Sequence, residues 1–221
     1  MKTTIVIVTR NRPESLEATL ATLLHHKYIS VDVLVIDSSD NQAKDRNHEN
    51  CRAYNFRYIY EPKRGLSLAR NRGVHESTTD IVAFTDDDAF PCRDWIEHHI
   101  ASYSDQRVMC VTGRVLPFGN DEESKRFEKY CGQDLGAKPR IFTGVNFWNW
   151  LAPFKVGHGV NFSIRKSAIE KVGGFDTRYG TGGPFKAGEE IEMFYRILKA
   201  KHSIAYNPAS VVYHDRRMTS L

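Results

Sequence analysis

Three runs rich in β-branched residues, TIVIVT at 4–9, VDVLVID at 31–37 and IVAFTDDD at 81–88, constrain this chain most. Each ends in polar residues, and helical stretches lie between them. After the first run Asn11-Arg12-Pro13 punctuates, and Leu16, Leu20, Leu23 and Leu24 follow at helical spacing. After the second come a polar helical stretch near 41–53, the short strand RYIY at 57–60, and GLSLARNRGVHES at 65–77, which also reads as a helix. Strands alternating with helices imply βαβ units and a largely parallel sheet, so the fold class is α/β.

The remainder reads less regularly. DWIEHHIASY predicts a helix and VMCVTG at 108–113 a strand. From about 117 to 158 the chain is rich in Gly, Pro and aromatic residues, among them Phe142, Phe147, Trp148, Trp150 and Phe154. That reads as a long loop, either closing over a ligand or packing a satellite core. GVNFSIRKSAIEKVGGFD then predicts a strand and a short helix closed by Gly173-Gly174. A glycine-rich stretch at 180–188 leads into a helix whose Ile191, Phe194, Tyr195 and Leu198 share one face, and SIAY and SVVYH read as two final strands. At 221 residues, with no repeat or linker, one domain over 1–221 is expected.

Composition narrows the class. Lys and Arg minus Asp and Glu gives 31 − 27 = +4, with the two signs interleaved, so charge does not suggest nucleic-acid binding. The cysteines Cys51, Cys92, Cys110 and Cys131 have no CxxC spacing, and a reducing cytoplasm is the simplest compartment. No segment approaches the ~18 apolar residues of a transmembrane helix, and a mildly basic surface is compatible with peripheral association at the inner face of a membrane.

Asp86-Asp87-Asp88 is the strongest chemical signal. It ends an apolar strand, at the sheet edge where ligands bind in open α/β folds. Three adjacent carboxylates need either full solvation or a cation, and Mg²⁺ or Mn²⁺ bridging to a substrate phosphate supplies the compensating charge. Asp37 ends the second strand, suited either to a ribose or base or to an Asx turn with the SSDN that follows. Thr9, Arg10 and Asn11 end the first strand, in a turn able to line the same crevice. Gly65 opens a helix that carries Arg70 and Asn71, and Arg70 could reach a diphosphate with its planar fork or sit on a solvated face. Glu189, Glu190 and Glu192 occupy a helical first turn, where the helix dipole favours acids and where a general base could also stand. His214 is either a metal ligand or structural.

In this order, IVIVTRNRP, VID, GLSLARNRG, FTDDDAFP, GVNFSIRKSAIEKVGGFD and GEEIEMFYRILKAKHSIAYNPASVVYH resemble a family-two glycosyltransferase over about residues 3 to 214. The resemblance implies a GT-A fold, a Rossmann-like αβα sandwich with a mostly parallel central sheet, its nucleotide-binding half at 1–115 and its acceptor-side half at 116–221. It also implies inverting transfer from a nucleoside diphosphate sugar, UDP being the family-level expectation, to a hydroxyl of a sugar, lipid-linked sugar or small molecule. By similarity Asp37 and the turn Thr9, Arg10, Asn11 and Arg12 would hold the nucleoside. Gly65, Arg70, Asn71 and Asn161 would lie along the donor, with Asp86 facing ribose or sugar and Asp87 and Glu189 beside it. Asp88 and His214 would hold Mn²⁺ or Mg²⁺. Glu190 stands where the family's Glu-Asp pair has its Asp base, so its carboxylate reaches one methylene farther. Acceptor binding would fall to residues 132–158, the glycine-rich loop or another chain. Other classes compete: a donor-binding protein without transfer, a phosphatase acting on phosphosugars, whose nucleophile belongs where this chain has TRNRP, and a sugar nucleotidyltransferase, whose glycine-rich first loop is absent.

Overall fold

A computed structural model describes residues 1–26, 31–119, 135–145 and 155–215. One sheet carries every strand among them. β1 (Thr3–Thr9), β2 (Val31–Asp37), β3 (Arg57–Tyr60) and β4 (Ile81–Asp86) form its parallel part in the order β3-β2-β1-β4. The sheet continues through β8 (Phe162–Arg165), β6 (Val108–Pro117) and β9 (Ser203–His214) to β5 (Ala89–Pro91). Here the pairing is mixed. β8 is antiparallel to β4 and β6, β9 runs parallel to β6, and β5 pairs antiparallel with β9.

The alternation along β1 and β2 shows why these runs form strands buried on both faces. Ile5, Ile7, Val33 and Val35 pack toward one side, with Leu16, Leu20 and Leu23 of α1 (Pro13–His26), Cys51 of α2 (Asn41–Ala53) and Trp95 and Ile96 of α4 (Trp95–Ser102). Val6, Leu34 and Ile36 pack toward the other, with Ala69 and Val74 of α3 (Leu66–Glu76), Ile169 of α5 (Lys166–Val172) and Phe194 and Leu198 of α6 (Glu189–Lys199). Helices thus cover both faces.

Two expectations need correction. The stretch read as a loop contains β7 (Arg140–Thr143), antiparallel to the first half of β9. Of the aromatic residues named in that stretch, Phe147, Trp148, Trp150 and Phe154 lie outside the described residues, as does Cys131. The two final strands are one strand, β9. Its register against β6 shifts between Gly113 and Arg114, whose partners are Asn207 and Val211, so residues 208–210 bulge out. Pro208, which lacks an N–H for the ladder, sits in that bulge.

Parallel pairing sets the position of the site. Thr9 is level with Asp37, and Val8 with Asp86, so the ends of β1, β2 and β4 share one edge. Ala89 and Pro117 flank His214 at the end of β9. Close backbone contact shapes the neighbouring loop. A Cβ on Gly182, whose φ is +93°, would lie 2.9 Å from the Gly65 Cα at the head of α3. The Leu66 N–H donates to the Thr181 carbonyl at 2.9 Å, holding the glycine-rich loop on that helix end.

Candidate functional site

At the end of β4 and just past it, three acids share few countercharges. Asp87 is fully buried; Thr9 Oγ1 donates to its Oδ2 at 2.6 Å, and the Arg12 guanidinium lies 2.6 Å from its Oδ1. Ser15 and Thr19 donate to its carbonyl, at 2.7 and 2.8 Å, and fix the turn to α1. Asp88 is 1% exposed and splits its oxygens, Oδ2 accepting from Arg12 at 2.9 Å and Oδ1 lying 3.1 Å from His214 Nε2. Burial pushes Asp87 up to about 7 despite Arg12. Burial pushes Asp88 up too, but its hydrogen bond to His214 and the His214 and Arg12 charges outweigh it, leaving the carboxyl below its ordinary range. Asp86 is pushed up by burial, against the Arg70 charge.

One ligand atom each from Asp86, Asp88 and His214 lie within 4.8 Å of one another. Two carboxylates and an imidazole are a donor set that Mn²⁺ accepts well and Mg²⁺ tolerates, and three protein ligands leave coordination positions for phosphate oxygens. The residues fit a divalent ion.

Arg70 joins this corner to the head of α6. Its side chain is 2% exposed, with Nη1 donating to Glu189 Oε1 at 2.6 Å, Nη2 to the Gly159 carbonyl at 3.0 Å, and Nη2 3.6 Å from Asp86 Oδ1. Phe162, Phe175 and Phe84 surround the guanidinium, with centroids 5.3, 5.7 and 5.9 Å away. A buried cation needs such pairing, and the aromatic faces add to it. Glu190 lies next to Glu189, its carboxylate in no ion pair among the described residues. It packs at Gly159, where an added Cβ would come 3.1 Å from its Oε1 and 3.4 Å from the Arg70 fork. Burial and the Glu189 charge hold Glu190 at about 7. Glu192, the third acid of that turn, pairs with Arg196 at 2.6 Å.

Other residues singled out by the sequence are engaged within the protein. Fully buried Asp37 accepts from the Ser39 N–H at 2.8 Å, Asn47 at 3.1 Å and the Tyr58 hydroxyl at 2.9 Å. Arg10, Asn11 and Arg64 converge on Asp40 at 3.3, 3.0 and 2.9 Å, with Asn11 at φ +58° closing the turn. Asn71 clamps Phe175 with both ends of its amide, at 2.8 and 2.7 Å. Asn161 is fully buried; its Oδ1 accepts from Trp95 and lies 2.9 Å from His99 Nε2, while its Nδ2 donates to the Arg114 and Ser210 carbonyls. Sequence reasoning missed His158, whose ring centroid lies 6.0 Å from that of His214, and the joint grip of Arg12 on Asp87 and Asp88. A histidine directly before GVNFS was the available clue to the first.

Fold and site together define a glycosyltransferase fold of the GT-A type. The chain is similar in structure to the mannosyltransferase PcManGT of Pyrobaculum calidifontis, solved in complex with GDP-Man and Mn²⁺ (TM-score 0.69, 18% identity, covering 96% of this chain and 56% of that one). It is also similar to TarS 1–349 of S. aureus (TM-score 0.71, 13% identity, covering 97% and 60%). Residues 4–173 match the model of glycosyl transferase family 2, and the chain belongs to that family. Among curated relatives, a pre-mycofactocin glycosyltransferase of Mycobacterium tuberculosis is 27% identical over 217 residues, covering 97% of this chain and 43% of its own length. A glucosyl-dolichyl phosphate glucuronosyltransferase of Haloferax volcanii is 26% identical over 221 residues, covering 97% and 69%. The chain thus spans less than half of the first relative. No helix among the described residues is long and apolar enough to cross a membrane.

Proposed function

We propose that this chain moves a sugar from a nucleoside diphosphate sugar to an acceptor hydroxyl, in one displacement that inverts the anomeric carbon. The observation that carries the reading is the way Arg70 ties Asp86 of the acidic corner to the Glu189–Glu190 pair, two groups of opposite task side by side. UDP is the first nucleotide to test, and the GDP-Man bound by PcManGT makes GDP the second.

Asp86, Asp88 and His214 would hold Mn²⁺ or Mg²⁺, which when bound offsets negative charge on a departing diphosphate without a proton. Glu189 is engaged by Arg70 in a buried ion pair at 2.6 Å, so its carboxylate is occupied within the protein. Glu190 has its carboxylate free of such a partner and shifted toward neutral pH, where a base is most effective. It takes the proton of the acceptor hydroxyl as the oxygen attacks.

Glu190→Gln preserves size and cannot accept a proton. Transfer should fall ~10²–10⁴-fold, with donor affinity close to wild type by calorimetry. In the wild type the rate should rise with pH and level off above about 7, as Glu190 loses its proton. A glutamine variant that transfers at nearly the wild-type rate would move the base elsewhere, and donor binding without transfer or hydrolysis across acceptors would point to a binding protein.

A further inference from the structure

The turn after β1 places a cation inside the acidic corner. Arg12 reaches across 76 residues of sequence to hold Asp88 Oδ2 at 2.9 Å, and its other nitrogen sits 2.6 Å from buried Asp87. Its planar fork matches two carboxylates from consecutive residues, which a lysine's point charge cannot bridge in the same way. Asp88 is therefore held on one side by a guanidinium and on the other by His214, with the backbone fixed as well by the Asp215 N–H donating to the Asp88 carbonyl at 2.9 Å.

We infer that Arg12 is a resident countercharge that keeps the affinity of the corner for a free divalent ion low, so that ion and diphosphate are taken up together. This rests on the metal reading above and adds to it a residue otherwise expected to hold only the nucleoside. Charge sets the effect. An ion at Asp86, Asp88 and His214 would share Asp88 with Arg12, and like charges in a partly buried site oppose each other strongly. A diphosphate brings its own negative charge and offsets that opposition. Orientation of Asp88 does not depend on Arg12 alone, since His214 and the Asp215 N–H also hold it. Removing the cation should therefore strengthen the binding of an ion by itself.

The test is Mn²⁺ binding followed by the electron paramagnetic resonance signal of the free ion, with and without UDP, on the whole chain. Arg12→Met should bind Mn²⁺ alone roughly tenfold tighter than the wild type. Arg12→Lys, which restores the charge without the fork, should return toward the wild-type affinity. Met and wild type binding Mn²⁺ alone equally, or Met binding it more weakly, would overturn the inference, as would Lys behaving like Met. Thermal unfolding checks that each variant is folded, and Arg12→Gln reads the same quantity if the Met variant is not. A wild type that binds no Mn²⁺ at saturating UDP and GDP would instead remove the metal reading itself, and this inference with it.

Discussion

The two halves of the sheet are built differently. From β3 to β4 the strands are parallel, the register runs without a break, and apolar residues fill both faces. From β8 to β5 the pairing is mixed, β6 and β9 shift register twice, and a polar group, Asn161, sits at the centre. The regular half contributes carboxylates at the end of β4, while the irregular half delivers His214 to meet them, and Arg70 links Asp86 to Glu189 at the head of α6. Burial of apolar surface can hold carboxylates at a strand end, but bringing a histidine from the far side of the sheet to the same point takes a bulge and a specific polar network.

That contrast can be broken by variants on either side. The largest loss of stability is expected for Leu34→Ala, which opens a cavity at a fully buried position of β2 and should cost about 2–5 kcal/mol. The folded fraction should keep its Mn²⁺-dependent nucleotide affinity, because the cavity lies away from the strand ends; a parallel loss of affinity would show that the regular half is not an independent platform. Asn161→Ala comes next. It strands the Trp95 and His99 ring nitrogens and the Arg114 and Ser210 carbonyls that flank the register shift. Chemical denaturation should show a loss of about 2–4 kcal/mol. Unlike Leu34→Ala, it should also weaken metal-linked nucleotide binding, since β9 carries His214; unchanged binding would mean that this network is structural only. Gly182→Ala should cost about 1 kcal/mol by the same measurement, from the positive φ and the contact with Gly65. Its rate effect should exceed its stability effect because the loop leads into Glu190, and a stability change alone would sever that link.

The same contrast explains what the sequence made legible. β1, β2 and β4 announce themselves because a strand buried on both faces must be apolar throughout, and Asp86-Asp87-Asp88 stands out against that background. β7 was hidden because Arg140–Thr143 is short and largely exposed, with Ile141 60% accessible, so no alternation marks it. β9 read as two strands because a proline inside a bulge looks in sequence like a turn. Asn71 and Asn161 were legible as noteworthy amides, but whether an amide faces a ligand or a backbone depends on neighbours brought from far along the chain, here Phe175, Trp95, His99, Arg114 and Ser210. The same holds for Arg70. Its partner Glu189 is 119 residues away, and no spacing rule connects them.

The central claim is that a divalent ion joins the two halves through Asp88. Calorimetric titration of UDP, and then GDP, into the wild type and Asp88→Ala, each with and without Mn²⁺, tests it most directly. The account predicts that Mn²⁺ tightens nucleotide binding to the wild type by about 100-fold or more, a step that Asp88→Ala abolishes while the protein stays folded. Equal affinity in the variant and the wild type, with Mn²⁺ present, would contradict it.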